Sequence, residues 1–218
     1  MTTRRAILAA MVGAPVAACQ NMRSAELNPA NPSDADFARW YIGSVRDEPY
    51  DMPLVDRSLM DPDLAPRIVA YSGGQRAGNV VVDIDERRLY LVQGDGTAKR
   101  YGVGVGKQGF SWRGTAFIGR KAKWPNWSPT SVMVRINPKL VRYAAGGLEN
   151  PLGARAMYLH QGSRDTLFRI HGTNEPWSIG KQVSSGCIRL LNEDVVDLYE
   201  RVPAGATVYV RRSGRTSA

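Results

Sequence analysis

Thiols and imidazoles are scarce in this chain, with two cysteines and two histidines among 218 residues. No Cys-x-x-Cys pair occurs and two histidines make a poor zinc site, so no metal is expected. Long apolar runs are missing too. The uncharged leader at residues 6–18 spans 13 residues, whereas a bilayer-crossing helix needs about 20. No internal repeat is visible. The run Gly102-Val103-Gly104-Val105-Gly106 lacks the spacing of a dinucleotide-binding turn and no helical pattern follows it. No nucleotide is therefore expected. Glycines placed where another backbone approaches closely explain that run better.

What is present begins with the leader. Arg4 and Arg5 precede the apolar stretch, and Val16-Ala17-Ala18-Cys19 closes it, the pattern of a removable export signal. Residues 1–18 are read as a signal peptide of the lipoprotein type. Cys19 is then the lipidated residue and membrane anchor, and the mature protein is periplasmic. Residues 3–8 also resemble a twin-arginine signal. The alternative is a chance cysteine in an Ala-rich leader. With Cys19 lipidated, Cys187 has no partner in the chain, and a solitary thiol in an exported protein points to intermolecular pairing or to reactivity.

Charge divides unevenly. Residues 20–70 carry a formal −4 and residues 71–218 a formal +11. The basic part suits an anionic wall or substrate carboxylates. Export argues against nucleic acid, and solubility alone is the plainer reading.

Hydrophobic residues at 43%, with 22 Gly and 13 Pro, describe a chain with a core and many turns. Residues 19–77 read as a tether or extension. Within it, residues 35–46 predict a short helix with Phe37, Trp40, Tyr41 and Val45 as its apolar stripe. Strands are predicted at residues 80–84, 89–92, 100–106, 114–118, 158–159, 167–170 and 207–210, the first three as an antiparallel meander. Residues 192–199 predict a helix, with Asn192 as its cap and Glu193 and Asp194 in its first turn. The class is mostly β, a sandwich or barrel with one or two short helices.

The stretch with chemical content runs from His171-Gly172-Thr173-Asn174 to Ser184-Ser185-Gly186-Cys187-Ile188-Arg189. A cysteine attacks as thiolate, and an imidazole within reach takes its proton and leaves a thiolate–imidazolium pair. Gly186 permits a strained turn that can aim the N–H groups of Gly186 and Cys187 at an oxyanion. Arg189, two residues on, projects to the same side of an extended segment, where its fork suits a substrate carboxylate. The plain alternatives are a small buried hydrophobe for Cys187 and a structural histidine for His171. Trp112, Trp124, Trp127, Trp177 and Tyr158 are groove candidates or core residues. Trp177 is preferred for the groove because it lies between base and nucleophile.

With these residues in order, residues 79–210 resemble the L,D-transpeptidase catalytic domain, also called the YkuD domain, whose signature is H-G-x…S-x-G-C-[IV]-R. The spacing from His171 to Cys187 resembles the branch that links outer-membrane lipoproteins to the wall. The resemblance implies a β-sandwich catalytic domain over residues 78–212, with 213–218 a tail. It also implies Cys187 as nucleophile and His171 as base, with Gly186, Ser185, Arg189, Gly172, Thr173, Asn174, Trp177 and Tyr158 around the substrate. The implied substrate is the tetrapeptide stem of peptidoglycan. D-alanine leaves, and the thioester passes to an amine of diaminopimelate or of a protein such as an outer-membrane lipoprotein or barrel protein. No cofactor is implied, and carbapenems are expected to acylate the same thiol. Water as acceptor would make a carboxypeptidase, and a wall-binding lipoprotein without catalysis is a third reading. Ser185 stands where the family usually has a second histidine. His160 is the remaining imidazole, read as a surface or groove residue.

Overall fold

The computed structural model describes residues 37–107, 112–184 and 186–214. The signal, Cys19, Ser185 and residues 215–218 lie outside the described residues.

Chain order begins with a hairpin. Strands β1 (Tyr41–Asp47) and β2 (Tyr50–Val55) pair antiparallel. Residues 41–47 are thus a strand and not the second half of a helix. Tyr41, Ile42 and Val45 are aromatic or β-branched, which favours a pleated strand once a partner is available. Helical spacing also misjudged the buried face: Phe37, Trp40 and Tyr41 pack inward, while Ile42 is 71% exposed and Val45 is exposed as well.

A nine-stranded sheet follows. In chain order its members are β3 (Arg67–Ala70), β4 (Val80–Asp83), β5 (Arg88–Val92), β6 (Thr97–Gly102), β8 (Gly114–Lys123), β9 (Arg155–Gln161), β10 (Arg164–His171), β12 (Ile188–Arg189) and β13 (Thr207–Arg211). The short strands β7 (Val105–Gly106) and β11 (Gln182–Ser184) pair separately. Across the sheet the order is β12-β10-β9-β8-β13-β4-β5-β6-β3. β4 sits centrally, parallel to β13 and antiparallel to β5. All four of its residues are buried, which explains an unbroken Val-Val-Val run instead of alternation. The expected strands are present except that the one expected over residues 100–106 is split, β6 ending at Gly102 and β7 pairing with β11 in a separate sheet. β3 joins the same sheet from within the extension by pairing with β6.

The sheet curls so that its β12 edge reaches the segment that follows β6. Gly104, just beyond β6, exchanges two backbone hydrogen bonds with Arg189 of β12, at 2.9 and 2.8 Å. A Cβ on Gly104 would lie 2.6 Å from the Ser178 carbonyl oxygen, so the close approach requires glycine here. Inside the curl lies the main core, including Val82, Leu89, Tyr101, Ile118, Leu159 and Ile170.

Helix α1 (Ser131–Ile136) is short and surface-lying. Helix α2 (Asn192–Arg201) packs on β9 and β2. Its N-cap is Leu191 and not Asn192. The Asn192 carboxamide oxygen instead accepts from the N–H groups of Ala154 (3.0 Å) and Thr173 (3.2 Å). Those buried donors have stronger need of an acceptor than a helix start with its own acidic turn. Glu193 and Asp194 do stand in that first turn.

The extension is fastened to the domain by charge. Asp47 takes both Nη groups of buried Arg155, at 2.6 and 2.7 Å, and Arg57 reaches Asp194 at 2.5 Å. A second apolar cluster joins Trp40, Val55 and Leu64 to Trp177, Ile179 and Leu191.

Candidate active site

β10 and β12 run parallel with Ile170 opposite Ile188 and His171 opposite Arg189. The two isoleucines point into the core and are buried. Strand alternation therefore sends His171 and Arg189 to the other face, along with Arg169 and Cys187, one residue earlier on each strand. A one-residue slip would expose both isoleucines, each worth about 1.5–3 kcal/mol when buried, so the register is firmly set. Cys187, one residue before β12, is then a diagonal neighbour of His171 across this pair.

His171 is 4% exposed. Its Nδ1 lies 2.5 Å from the Gly172 carbonyl oxygen. A carbonyl only accepts, so Nδ1 carries the hydrogen and Nε2 is left with a lone pair. Burial pushes the imidazole pKa down to about 3, helped by the Arg189 and Arg169 charges, although the Gly172 carbonyl pulls the other way. Cys187 is half-buried. Burial raises its thiol pKa, against the lowering influence of the Arg169 N–H and of the Arg169 and Arg189 charges. The resting pair is thus a neutral thiol and a neutral imidazole, in place of the ion pair that the residue types alone suggested. Sγ lies 4.0 Å from the Leu167 carbonyl oxygen and, among the described residues, makes no hydrogen bond to the imidazole.

Leu167 has a left-handed φ of 65° within an irregularity of β10 between Asp165 and Arg169. Such a bulge at a leucine carries strain and turns a carbonyl out of the ladder. Asp165 holds it, accepting from the Leu167 N–H at 2.8 Å and gripping Arg169 at 2.8 and 2.9 Å. Neither Asp165 nor Arg169 was marked by the sequence motif; register alone could have pointed to Arg169.

Ser184 shapes the turn before the cysteine. Its hydroxyl donates to the Cys187 carbonyl at 2.7 Å and accepts from the Gly186 N–H at 3.2 Å. Gly186 has the expected left-handed backbone, φ 124°. Its N–H is engaged by Ser184, so it does not face an oxyanion position as expected.

The other expected groove residues are mostly structural. Gly172 is fixed by Asn192: a Cβ there would meet the carboxamide oxygen at 2.2 Å. Buried Thr173 accepts from the Glu175 N–H at 3.0 Å, and Asn174 donates to the Glu149 carbonyl at 3.1 Å. Trp177 is 8% exposed, 4.8 Å from the Phe37 ring and 6.1 Å from Trp40, so it packs as a core residue beneath the extension. Buried Tyr158 lies under the guanidinium groups of Arg120 (3.5 Å) and Arg169 (4.4 Å). Its ring packs against Arg169. Trp124 is buried and bonds the Asp47 carbonyl, Trp112 stacks on Phe168, and Trp127 packs beside Tyr158. The His160 ring lies beside Phe117. Arg189 reaches Glu175 through Nη1.

Two cavities, of about 250 and 310 Å³, flank the loop from His171 to Cys187. One is walled by Trp40, Leu64 and Trp177, the other by Tyr41, Glu149 and Asn174, and neither includes Cys187 or His171. Both result from the extension resting on the loop, so volume does not locate the chemistry here. Among the described residues no cluster of His, Cys, Asp and Glu is placed to hold a metal, and no helix is long and apolar enough to cross a membrane.

Comparison with known proteins bears on this arrangement. The family profile of the YkuD L,D-transpeptidase catalytic domain matches residues 77–210. The chain is 36% identical over 140 residues to "Probable L,D-transpeptidase ErfK/SrfK" of Escherichia coli, covering 60% of this chain and 43% of that protein. It is 36% identical over 138 residues to "Probable L,D-transpeptidase YbiS" of the same organism, covering 59% and 43%. The chain thus spans less than half the length of these curated relatives. A solved structure from Brucella melitensis, of a "Probable carnitine operon oxidoreductase caia", is 47% identical and covers 68% of this chain and 94% of that one, with a TM-score of 0.48.

Proposed function

The chain belongs to the L,D-transpeptidase catalytic domain family, and on that premise we propose that it transfers peptidoglycan stem peptides through a thioester on Cys187, with His171 as the base. The supporting observation is the β10–β12 register: His171 ends β10 and Cys187 directly precedes β12, while their neighbours Ile170 and Ile188 pair and fill the core.

Both groups are neutral at rest, so proton transfer accompanies attack. As Sγ closes on the carbonyl carbon of the L,D peptide bond that follows diaminopimelate, Nε2 takes the thiol proton. The carbonyl oxygen becomes an oxyanion, and the imidazolium beside it is held by the Gly172 carbonyl. The charges of Arg169 and Arg189, which already favour thiolate, favour this anionic stage too. When the C–N bond breaks, the imidazolium returns its proton to the departing amine of D-alanine. A thioester and neutral imidazole remain. An acceptor amine then attacks, gives a proton to Nε2, and the thiol leaves as thiolate and recovers that proton.

An amine of diaminopimelate as acceptor gives a 3–3 crosslink, and a lysine gives a protein–wall link. Export through residues 1–18 and lipid attachment at Cys19 complete the proposal, placing the enzyme at a periplasmic membrane surface. Incubation with a disaccharide-tetrapeptide tests it. Release of D-alanine with a crosslinked dimer or a protein adduct supports transfer. Free tripeptide alone would replace transfer with hydrolysis, and intact tetrapeptide would refute both.

A further inference from the structure

We propose that Glu175 is a built-in competitor for the substrate: its carboxylate occupies Arg189 in the empty site and gives way to a carboxylate of the incoming peptide. The inference rests on the peptide-transfer reading above and names the group that guards its carboxylate subsite.

Arg189 shares a face with Cys187 and stands opposite His171, so a carboxylate bound to it lies beside the reacting atoms. Its side chain is 17% exposed and its Nη1 is held by Glu175. Its Nε is buried and makes no hydrogen bond among the described residues. Exchange therefore takes place at the Nη edge that Glu175 holds, and a planar fork presents that edge equally well to a substrate carboxylate.

Glu175 is built to let go. Its backbone is tied at both ends: its N–H donates to Thr173 Oγ1 at 3.0 Å, and its carbonyl accepts from the Ser178 N–H and hydroxyl at 3.0 and 2.6 Å. Its side chain, by contrast, bonds only Arg189 among the described residues and is 42% exposed. The carboxylate can swing into water by rotamer change while the loop from His171 to Cys187 stays in place. Glu175 is the solvent-facing partner of the pair, so its carboxylate regains water on release and the net cost of exchange is small. A neutral substrate lacks the group that displaces Glu175 and leaves the pair closed, so the pair selects for peptides with a free carboxylate.

The test measures binding apart from turnover. Calorimetric titration of a disaccharide-tetrapeptide into C187A and into C187A/E175Q should show about two- to fivefold tighter binding to the double variant, the factor that such a pair represents. The same peptide with its carboxyl groups amidated should bind both variants alike. Equal or weaker binding of the free acid to C187A/E175Q would overturn the inference, because Glu175 would then position Arg189 or play no part. If wild-type protein is still acylated by the peptide in that case, only the inference falls. If the peptide neither binds C187A nor acylates wild type, the transfer reading falls with it.

Discussion

His171 stands opposite Arg189 across the parallel strands β10 and β12, so the residue cast as base has a fixed cation for a neighbour. Burial, with that cation adding to it, keeps the imidazole uncharged, with a pKa of about 3. A neutral base with Nδ1 tied to the Gly172 carbonyl presents one lone pair, and the proposed chemistry needs no more than that.

The depressed imidazole has a consequence for stability. The unfolded chain takes up a proton near the ordinary histidine pKa of about 6.5, and the folded chain refuses it until about 3. The stability that His171 contributes is therefore full above pH 6.5 and lost as pH falls through that window. The loss is about 1.4 kcal/mol per pH unit in its middle. Urea unfolding of wild type and H171Q between pH 7 and 4 should show a steeper loss for wild type. Parallel curves would mean that the imidazole titrates normally in the folded protein.

Removing the base should be partly mended by alkali. H171A is expected to lose most acylation at neutral pH and to recover some above the ordinary thiol range near 8.5, since burial raises the Cys187 pKa. A rate ratio of H171A to wild type that stays constant up to pH 10 would contradict the base assignment.

Asn192 should matter for the loop beneath the site. N192A leaves the N–H groups of Ala154 and Thr173 without their acceptor. Each unsatisfied buried donor costs about 1–3 kcal/mol. A fall of about 2–4 kcal/mol in unfolding free energy is expected, with reduced acylation because Gly172 rests on the same carboxamide. An unchanged stability would mean that water replaces the side chain.

The extension should stabilise the domain through Arg155. D47N strands a buried guanidinium whose charge Asp47 now meets with two hydrogen bonds. Breaking a buried pair from one side costs about 3–5 kcal/mol. Chemical denaturation of D47N measures this, and a loss under about 1 kcal/mol would show that the extension is only loosely docked.

Much of this was legible beforehand. Val-Val-Val, Leu-Tyr-Leu-Val and the glycine-bounded turns read as strands because local propensity and tertiary position agree there. The His171 and Cys187 signals sit at strand ends as their flanking glycines suggested. What escaped depended on partners distant in sequence. Residues 41–47 chose strand over helix because β2 was at hand. Trp177 went to the core because Phe37 and Trp40 cover it. Asn192 bonds backbone donors from two other segments, which no local cap rule can foresee. Gly186 lost its expected oxyanion role to a hydroxyl two residues away, and Asp165 and Arg169 became visible only through the bulge at Leu167.

The most direct measurement is the site of acylation. Wild-type protein mixed with a disaccharide-tetrapeptide, quenched in acid and digested, should yield one peptide heavier by the disaccharide-tripeptide acyl group, mapped to the Cys187 sulfur and absent from C187A. D-alanine release by C187A near the wild-type rate, or an acyl group mapped to any other residue, would contradict the account.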